Sequence, residues 1–218
     1  MLNTNLSSLV KISVLGEIAN PAMPGLPASP YLVSAEGEPL VVPAFGGLVY
    51  NVGIGDRALG WAGELIQPGV SIKSSNANAN TALGVYACLG NRARVMNGGA
   101  AGATGMVIGK SGRFAEHVIC HFAPDDLEQM APGDKIQVQA YGVGLKLADF
   151  PDVELKSCAP EFLDALNPDV SGDGKLVVPV KGVASSVLAG AGAGLGSENG
   201  ALNLQTSDPT QFAQAGLA

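Results

Sequence analysis

The sequence predicts a mainly β fold with a minor α component, in which small β-barrel elements accompany three short helices. Glycine is about twice as common as in an average protein, with 30 among 218 residues, which indicates frequent turns and bulges. Between these glycines lie short runs that alternate apolar and polar residues, as strands with one buried face do. Strands and helices do not alternate along the chain, so we expect no Rossmann-type sheet.

The first part of the chain is predicted to hold short strands around one long loop. Alternation over Val10–Leu15 indicates the first strand. The prolines and glycines over Asn20–Pro30 indicate an irregular surface loop. Three further strands are expected at Tyr31–Ser34, Pro39–Val42 and Gly47–Val52.

A buried helix is predicted over Thr81–Leu89, after a polar loop at Asn76–Asn80. Its apolar residues recur at helical spacing. Asn80 or Thr81 can cap its start, and Gly90 can end it.

The second part of the chain is predicted to be richer in strands. A Gly-Asp pair turns the chain into a new strand in many small barrels, and such turns are expected at Gly55-Asp56 and Gly133-Asp134. Strands are expected at Arg94–Met96, Gly105–Gly109, Glu116–Phe122, Lys135–Tyr141 and Leu176–Val180.

Two more helices and the domain organisation follow from the last third. A proline near the first position predicts a helix over Pro160–Leu166, and Pro209 predicts a terminal helix that begins at Ser207 or Asp208. We expect one unit over residues 1–218, or two intertwined β subdomains over about 1–90 and 91–180. Residues 181–218 would then form a glycine-rich tail with the terminal helix.

Composition excludes several classes of partner. The net charge is −7 and the lysines and arginines form no run, so we expect no nucleic-acid partner. The N-terminal apolar stretch is too short and interrupted to cross a membrane. Cys88, Cys120 and Cys158 are odd in number and far apart, which indicates reduced thiols in a cytoplasmic protein.

Three apparent cofactor motifs fail in their spacing, so the sequence assigns no cofactor. Gly105–Ser111 has one residue too few for a phosphate-binding loop, and its interior reads as a strand. Gly190–Gly196 does not fit the dinucleotide spacing. Asp169–Val180 resembles a calcium loop but ends on valine where a bidentate glutamate belongs.

The two histidines do not predict a metal site. His117 and His121 share one face of a predicted strand, but four residues separate them by about 13 Å. One metal ion cannot bind both from a straight strand, so we predict no metal.

A resemblance to a known family extends over nearly the whole chain. Its signature segment includes Tyr50-Asn51-Val52, Gly55-Asp56, Gly60-Trp61-Ala62-Gly63 and Pro68-Gly69-Val70-Ser71-Ile72, and later matches include Gly109-Lys110, Glu116-His117-Val118, Gly133-Asp134-Lys135 and Ala140–Lys146. By these motifs the chain resembles the bacterial family known as domain of unknown function 4438. The resemblance implies a mainly β, barrel-containing fold and a homo-oligomer. It implies no particular reaction.

Two departures from the family pattern concern possible site residues and chain length. Relatives carry Asp-His after Trp-Ala-Gly and His-Gly-Gly after Gly-Lys, where this chain has Glu64-Leu65 and Ser111-Gly112-Arg113. Relatives also continue beyond the position of Ala218, so we expect a shortened member or a piece of a longer one. A second copy or a complementary C-terminal chain would then cover exposed apolar surface.

Two functional hypotheses remain open, and the sequence does not decide whether the chain is an enzyme. The first is a small-molecule hydrolase of C–N or related bonds, by loose analogy with amidase-type β folds. Glu64 would act as its general base and Lys110 would hold an anionic group. The alternative is a non-catalytic structural or ligand-binding subunit that oligomerises. The candidate catalytic residues are Asp56, Glu64 and Lys110, and the candidate binding residues are Tyr50, Asn51, Arg113 and His117.

Overall fold

The computed structural model describes residues 2–21, 31–33, 37, 39–41, 46–51, 67, 69–111 and 117–179. Several sequence predictions fall outside these residues. They are most of the loop at Asn20–Pro30, the Gly55-Asp56 turn, the glycine run of Gly190–Gly196 and the terminal helix.

The described part of the chain is mostly β, which confirms the predicted fold class. A 3₁₀ helix spans Leu6–Ser8, and three α-helices span Ala77–Tyr86 (α1), Pro124–Leu127 (α2) and Pro160–Leu166 (α3). The strands are Ile12–Ile18 (β1), Tyr31–Val33 (β2), Pro39–Val41 (β3), Gly47–Val49 (β4), Gly69–Lys73 (β5), Arg92–Val95 (β6), Thr104–Ser111 (β7), His117–His121 (β8), Lys135–Ala140 (β9), Asp169–Val170 (β10) and Leu176–Val177 (β11).

Six strands close into an antiparallel barrel, which confirms the predicted barrel element. They follow the order β1-β9-β6-β7-β8-β5, and β5 pairs back onto β1 through Ile18 and Ile72. The other edge of β5 bonds to β8, and β4 extends the sheet beyond the barrel beside β5. The barrel is closed, so its strands leave few backbone groups exposed as sheet edges.

The barrel interior is the main hydrophobic core. Alternate residues of each strand point inward, and paired strands bring Val14 of β1 beside Val138 of β9 and Ala93 of β6 beside the same Val138. These three side chains are almost fully buried. Cys120 on β8 also belongs to this core.

Helix α1 begins earlier than the sequence predicts. Asn76 is its N-cap, and its side chain accepts a hydrogen bond from the amide of Ala79. The predicted caps Asn80 and Thr81 lie inside the helix, so that prediction was wrong by about one turn. The first turn alternates alanine and asparagine and is mostly exposed, which hides its periodicity, whereas Leu83 in the second turn enters the barrel core.

Strand β5 closes the barrel, yet the sequence did not predict it. Its first four residues are all buried, so it lacks the alternation that marks a strand with one exposed face. Ser71 lies in its centre and is fully buried. A polar residue in a short apolar run weakens the sequence pattern further.

A second, smaller core lies where the N-terminal residues meet residues 141–166. Thr4 pairs with Leu147, and Asn3 bonds to the Asp149 carboxylate. Helix α3 packs on this core at the bounds that the sequence predicted. The core contains Leu145, Leu147, Cys158 and Leu163, with Leu2, Leu9, Phe150, Leu155, Phe162 and Leu176 packed against them.

Helix lengths bear on membrane insertion. In the described ranges, the helices do not reach the apolar length that a transmembrane span requires.

Candidate functional site

Lys110 is a buried lysine near the end of strand β7. It pairs with Val118 of β8, and Val118 belongs to the barrel core. Paired residues of an antiparallel ladder point to the same face, so the Lys110 side chain also points inward. Only 8% of Lys110 is exposed. A lysine this buried is rare unless a partner or a function retains it.

The hydroxyl of Ser157 is the described partner of the Lys110 amine. Lys110 Nζ donates to Ser157 Oγ at 2.9 Å. The ion pairs in the described part of the chain use Lys135, Lys156 and Lys175, so no described carboxylate neutralises Lys110. An amine and a hydroxyl at this distance can exchange a proton directly.

The backbone around Ser157 is fixed by hydrogen bonds and held in an unusual conformation. The Ser157 carbonyl accepts from the Leu89 amide at 2.7 Å, and the Ala159 amide donates to the Leu89 carbonyl at 2.9 Å. Ser157 itself has φ = +49°, in the left-handed region, which costs a non-glycine residue about 1–2 kcal/mol. Such strain persists only where neighbouring structure imposes it, and it concentrates at functional sites.

Cys88 lies close enough to Lys110 for their charges to interact. Burial lowers the pKa of Lys110, and a charged Cys88 would oppose that shift. For the Cys88 thiol, burial raises the pKa, and the positive charge of Lys110 partly offsets that increase. Both groups are therefore shifted toward their neutral forms, and a neutral amine is the form that can act as a base.

The three thiols are poor candidates for the nucleophile. All are free and buried. Burial raises the pKa of Cys120 to about 12, and burial together with Cys88 raises that of Cys158 to about 11. A thiol reacts as its thiolate, which is scarce at neutral pH when the pKa is this high. Ser157 is half-buried, so a small molecule can reach its hydroxyl more easily than these sulfurs.

His117 belongs to a different polar cluster. It is the neighbour of Val118 on β8, so its side chain leaves the opposite face of the sheet from Lys110. Its Nδ1 lies 2.9 Å from Ser71 Oγ, and both side chains are buried. Burial, and then the charge of Lys73, lower the pKa of His117. We therefore expect a neutral imidazole that braces β5 against β8.

The remaining predicted site residues lie apart or outside the described ranges. Tyr50 and Asn51 are exposed and follow the end of β4. At its opposite end, β4 starts next to Gly46, and Gly46 lies close to the His117 side chain. Asp56, Glu64 and Arg113 fall outside the described residues, so their roles stay predictions.

No sequence signal points to Ser157. It lies 47 residues from Lys110, in a segment without periodicity or a recognisable motif. A positive φ is more usual for glycine or asparagine, so a serine at this position does not indicate a left-handed turn in the sequence.

Comparison with known proteins identifies the family. A family profile described as "Domain of unknown function (DUF4438), N-terminal" matches residues 31–164. The chain belongs to this family. Lys110 and Ser157 both fall within the matched DUF4438 region, so the candidate site lies in the part of the chain that defines membership.

A solved structure resembles the whole chain. The structure described as "Crystal structure of TM1086" is 36% identical in sequence, with a TM-score of 0.78. The match covers 99% of this chain and 75% of that one. No curated protein matches. The structural match agrees with the fold of the chain, and neither description names an activity.

Two substitutions at Ser157 separate backbone strain from the hydroxyl contact. We expect Ser157→Ala to lower the free energy of unfolding by about 1–2 kcal/mol, because Lys110 loses its partner while the strain remains. Ser157→Gly should be more stable than Ser157→Ala by about 0.5–1 kcal/mol, since glycine adopts φ = +49° freely. Urea unfolding of both variants measures this order. Equal stabilities would show that the left-handed backbone carries no strain.

Burial of Lys110 predicts a pH-dependent stability. Its pKa lies below the ordinary 10.5 when folded, so between the two values the unfolded chain binds more protons. The contribution of Lys110 to the free energy of unfolding therefore rises with pH through that window. The same contribution is lost as the pH falls through the folded pKa. We expect wild type to gain stability relative to Lys110→Met as pH approaches 10.5. Thermal unfolding of both proteins across pH 7–10 measures this change. A loss of wild-type stability relative to Lys110→Met as the pH rises would contradict the prediction.

Proposed function

We propose that this chain is a hydrolase of small-molecule C–N or related acyl bonds, with Ser157 as nucleophile and Lys110 as its base. The observation that carries the proposal is the 2.9 Å contact between Lys110 Nζ and Ser157 Oγ. A nucleophile beside a base is the minimal arrangement for covalent catalysis, and Ser-Lys pairs are one of its variants. The proposal moves the base role from Glu64, where the sequence suggested it, to Lys110.

The reaction follows from the proton that the two groups share. Neutral Lys110 takes the hydroxyl proton while Ser157 Oγ forms a bond to the acyl carbon of the substrate. The C–N bond then breaks, and the leaving amine takes the proton from Lys110. Water attacks the resulting Ser157 ester, giving its proton to Lys110. The acid product leaves, and the proton returns to Ser157 Oγ.

Burial supports the base role of Lys110. A fully solvated lysine is almost entirely protonated at neutral pH, whereas desolvation favours the neutral amine. General bases are most effective when their pKa lies near the working pH. The low exposure of Lys110 therefore favours a catalytic group over a solvated surface charge.

Labelling with a fluorophosphonate tests the nucleophile without knowledge of the substrate. This reagent phosphonylates activated serines, with fluoride as the leaving group. We expect one adduct in the intact mass and peptide mapping that places it on Ser157. Ser157→Ala should abolish the adduct, whereas Ser171→Ala, in the exposed turn before β11, should retain it. Labelling that spares Ser157 would overturn the proposal.

The expectations of a homo-oligomer and a cytoplasmic location stay predictions from the sequence. The proposed chemistry does not depend on either. Lys110, Ser157 and Cys88 all come from one chain, so the Ser157–Lys110 pair forms without a contribution from a second copy.

A further inference from the structure

A cleft on the outer surface of the barrel is lined by residues other than Ser157 and Lys110. Its volume is about 500 Å³, and it lies across β1, β9 and β6. Sites for small molecules commonly have volumes of about 300–1,000 Å³. Its polar lining includes Ser13 of β1, Arg92 of β6, Gln137 and Gln139 of β9, and Lys11, which directly precedes β1.

The strand register explains why these polar groups converge. Ser13 pairs with Gln139, and Ala93 pairs with Val138, which puts Arg92 beside Gln139. These positions alternate with the core residues of the barrel, so their side chains point outward. Three strands therefore present one row of hydrogen-bonding side chains to the same cleft.

The cleft carries positive charge without a matching ion pair. The ion pairs among the described residues use other cations. Lys11 and Arg92 therefore each lie farther than salt-bridge distance from every described carboxylate. The Lys11 amine lies 4.3 Å from the centre of the Tyr141 ring, a cation–π contact that keeps it at the cleft. Glu161 is the one carboxylate in the lining. The cleft lining therefore holds two cations and one carboxylate, whereas the whole chain has a net charge of −7.

Hydrogen bonds within the chain hold the floor of the cleft. Asn91 is 2% exposed. Its Oδ1 accepts from the Cys88 amide at 2.7 Å, and its Nδ2 donates to the Tyr141 carbonyl at 2.7 Å. A side chain at Gly90 would lie 2.6 Å from Phe162 Cβ, so helix α3 packs directly on this floor. A preorganised floor lowers the entropy cost of binding.

We propose that this cleft binds a small anionic molecule, a carboxylate or a phosphate, through Lys11 and Arg92. Arginine offers paired donors that match either group. The Gln139 amide can donate an additional hydrogen bond from the neighbouring strand. Glu161 in the same lining opposes the anion by like-charge repulsion. The inference goes beyond the proposed hydrolysis and does not rest on it, since the cleft lining contains neither Ser157 nor Lys110.

Amide chemical shifts in a titration test the site directly. Inorganic phosphate and succinate are added separately to the full chain, with ionic strength held constant by sodium chloride because salt screens surface charge. We expect saturable shifts at Gly90, Arg92 and Tyr141 with at least one anion. The anion that saturates at lower concentration identifies the preferred group.

Matched variants determine whether the cleft or general charge is responsible. Arg92→Gln should weaken binding by about tenfold or more, the usual scale for a charge-assisted hydrogen bond. Arg94→Gln removes the same charge two residues along the same face of β6, outside the cleft, and should weaken binding less than about threefold. Glu161→Gln should tighten it. Equal losses for the two arginine variants, or the absence of saturable shifts with both anions, would overturn the proposal.

Discussion

Replacing Lys110 by methionine is expected to slow the fluorophosphonate labelling of Ser157 by at least about 100-fold, the usual range for loss of a general base. Methionine keeps the length of the side chain but cannot accept the hydroxyl proton. The measurement is the second-order rate of adduct formation by intact mass. Lys146→Met provides the control, because that lysine is exposed, and the described hydrogen bond to the Ser157 hydroxyl comes from Lys110.

A second variant separates the base from a merely structural cation. Lys110→Arg keeps a positive donor near Ser157, but the guanidinium stays protonated at every accessible pH. We expect labelling to remain at least about 100-fold slower than wild type. Near-normal labelling in Lys110→Arg would mean that Lys110 only positions the serine, and the proposed mechanism would fail.

Gly142→Ala is expected to destabilise the fold strongly and to disable the site with it. Gly142 has φ = +133°, and a Cβ there would lie 2.3 Å from the Cys158 carbonyl oxygen. That carbonyl belongs to the segment that carries Ser157, so the clash must displace the candidate nucleophile. Strain and overpacking together should lower the free energy of unfolding by about 3 kcal/mol, measured by urea unfolding.

Gly144→Ala provides the matched control for Gly142→Ala. Gly144 also has a positive φ, of +81°, but nothing lies within 4 Å of the position that a Cβ would occupy. Gly144→Ala should lower the free energy of unfolding by only about 1 kcal/mol, through backbone strain, and leave labelling of Ser157 unchanged. If the two variants lost equal stability, the close approach of Gly142 to Cys158 would not be the cause.

The parts of the fold that the sequence predicts are those with a local signal. Strand β9 alternates buried and exposed residues along Lys135–Ala140, and Pro160 marks the start of α3. Strand β5 has no such signal because both of its faces are covered. Its existence depends on β1, β4 and β8, which are distant in the sequence.

The candidate site was only partly predictable for a related reason. Lys110 was a candidate for holding an anion and lies in the family match Gly109-Lys110, but its burial depends on how β7 pairs with β8. Ser157 depends on a contact across 47 residues and on a backbone conformation that serine rarely adopts. Neither property is visible in local composition or spacing.

The pH dependence of Ser157 labelling tests the central claim most directly. If Lys110 is the base, the rate rises as its amine loses a proton and levels off above a pKa that lies below the ordinary 10.5. Lys110→Met should lack this plateau. A rate that increases in proportion to hydroxide through pH 10.5, with the same profile in wild type and Lys110→Met, would show that Ser157 reacts without Lys110 and would contradict the account.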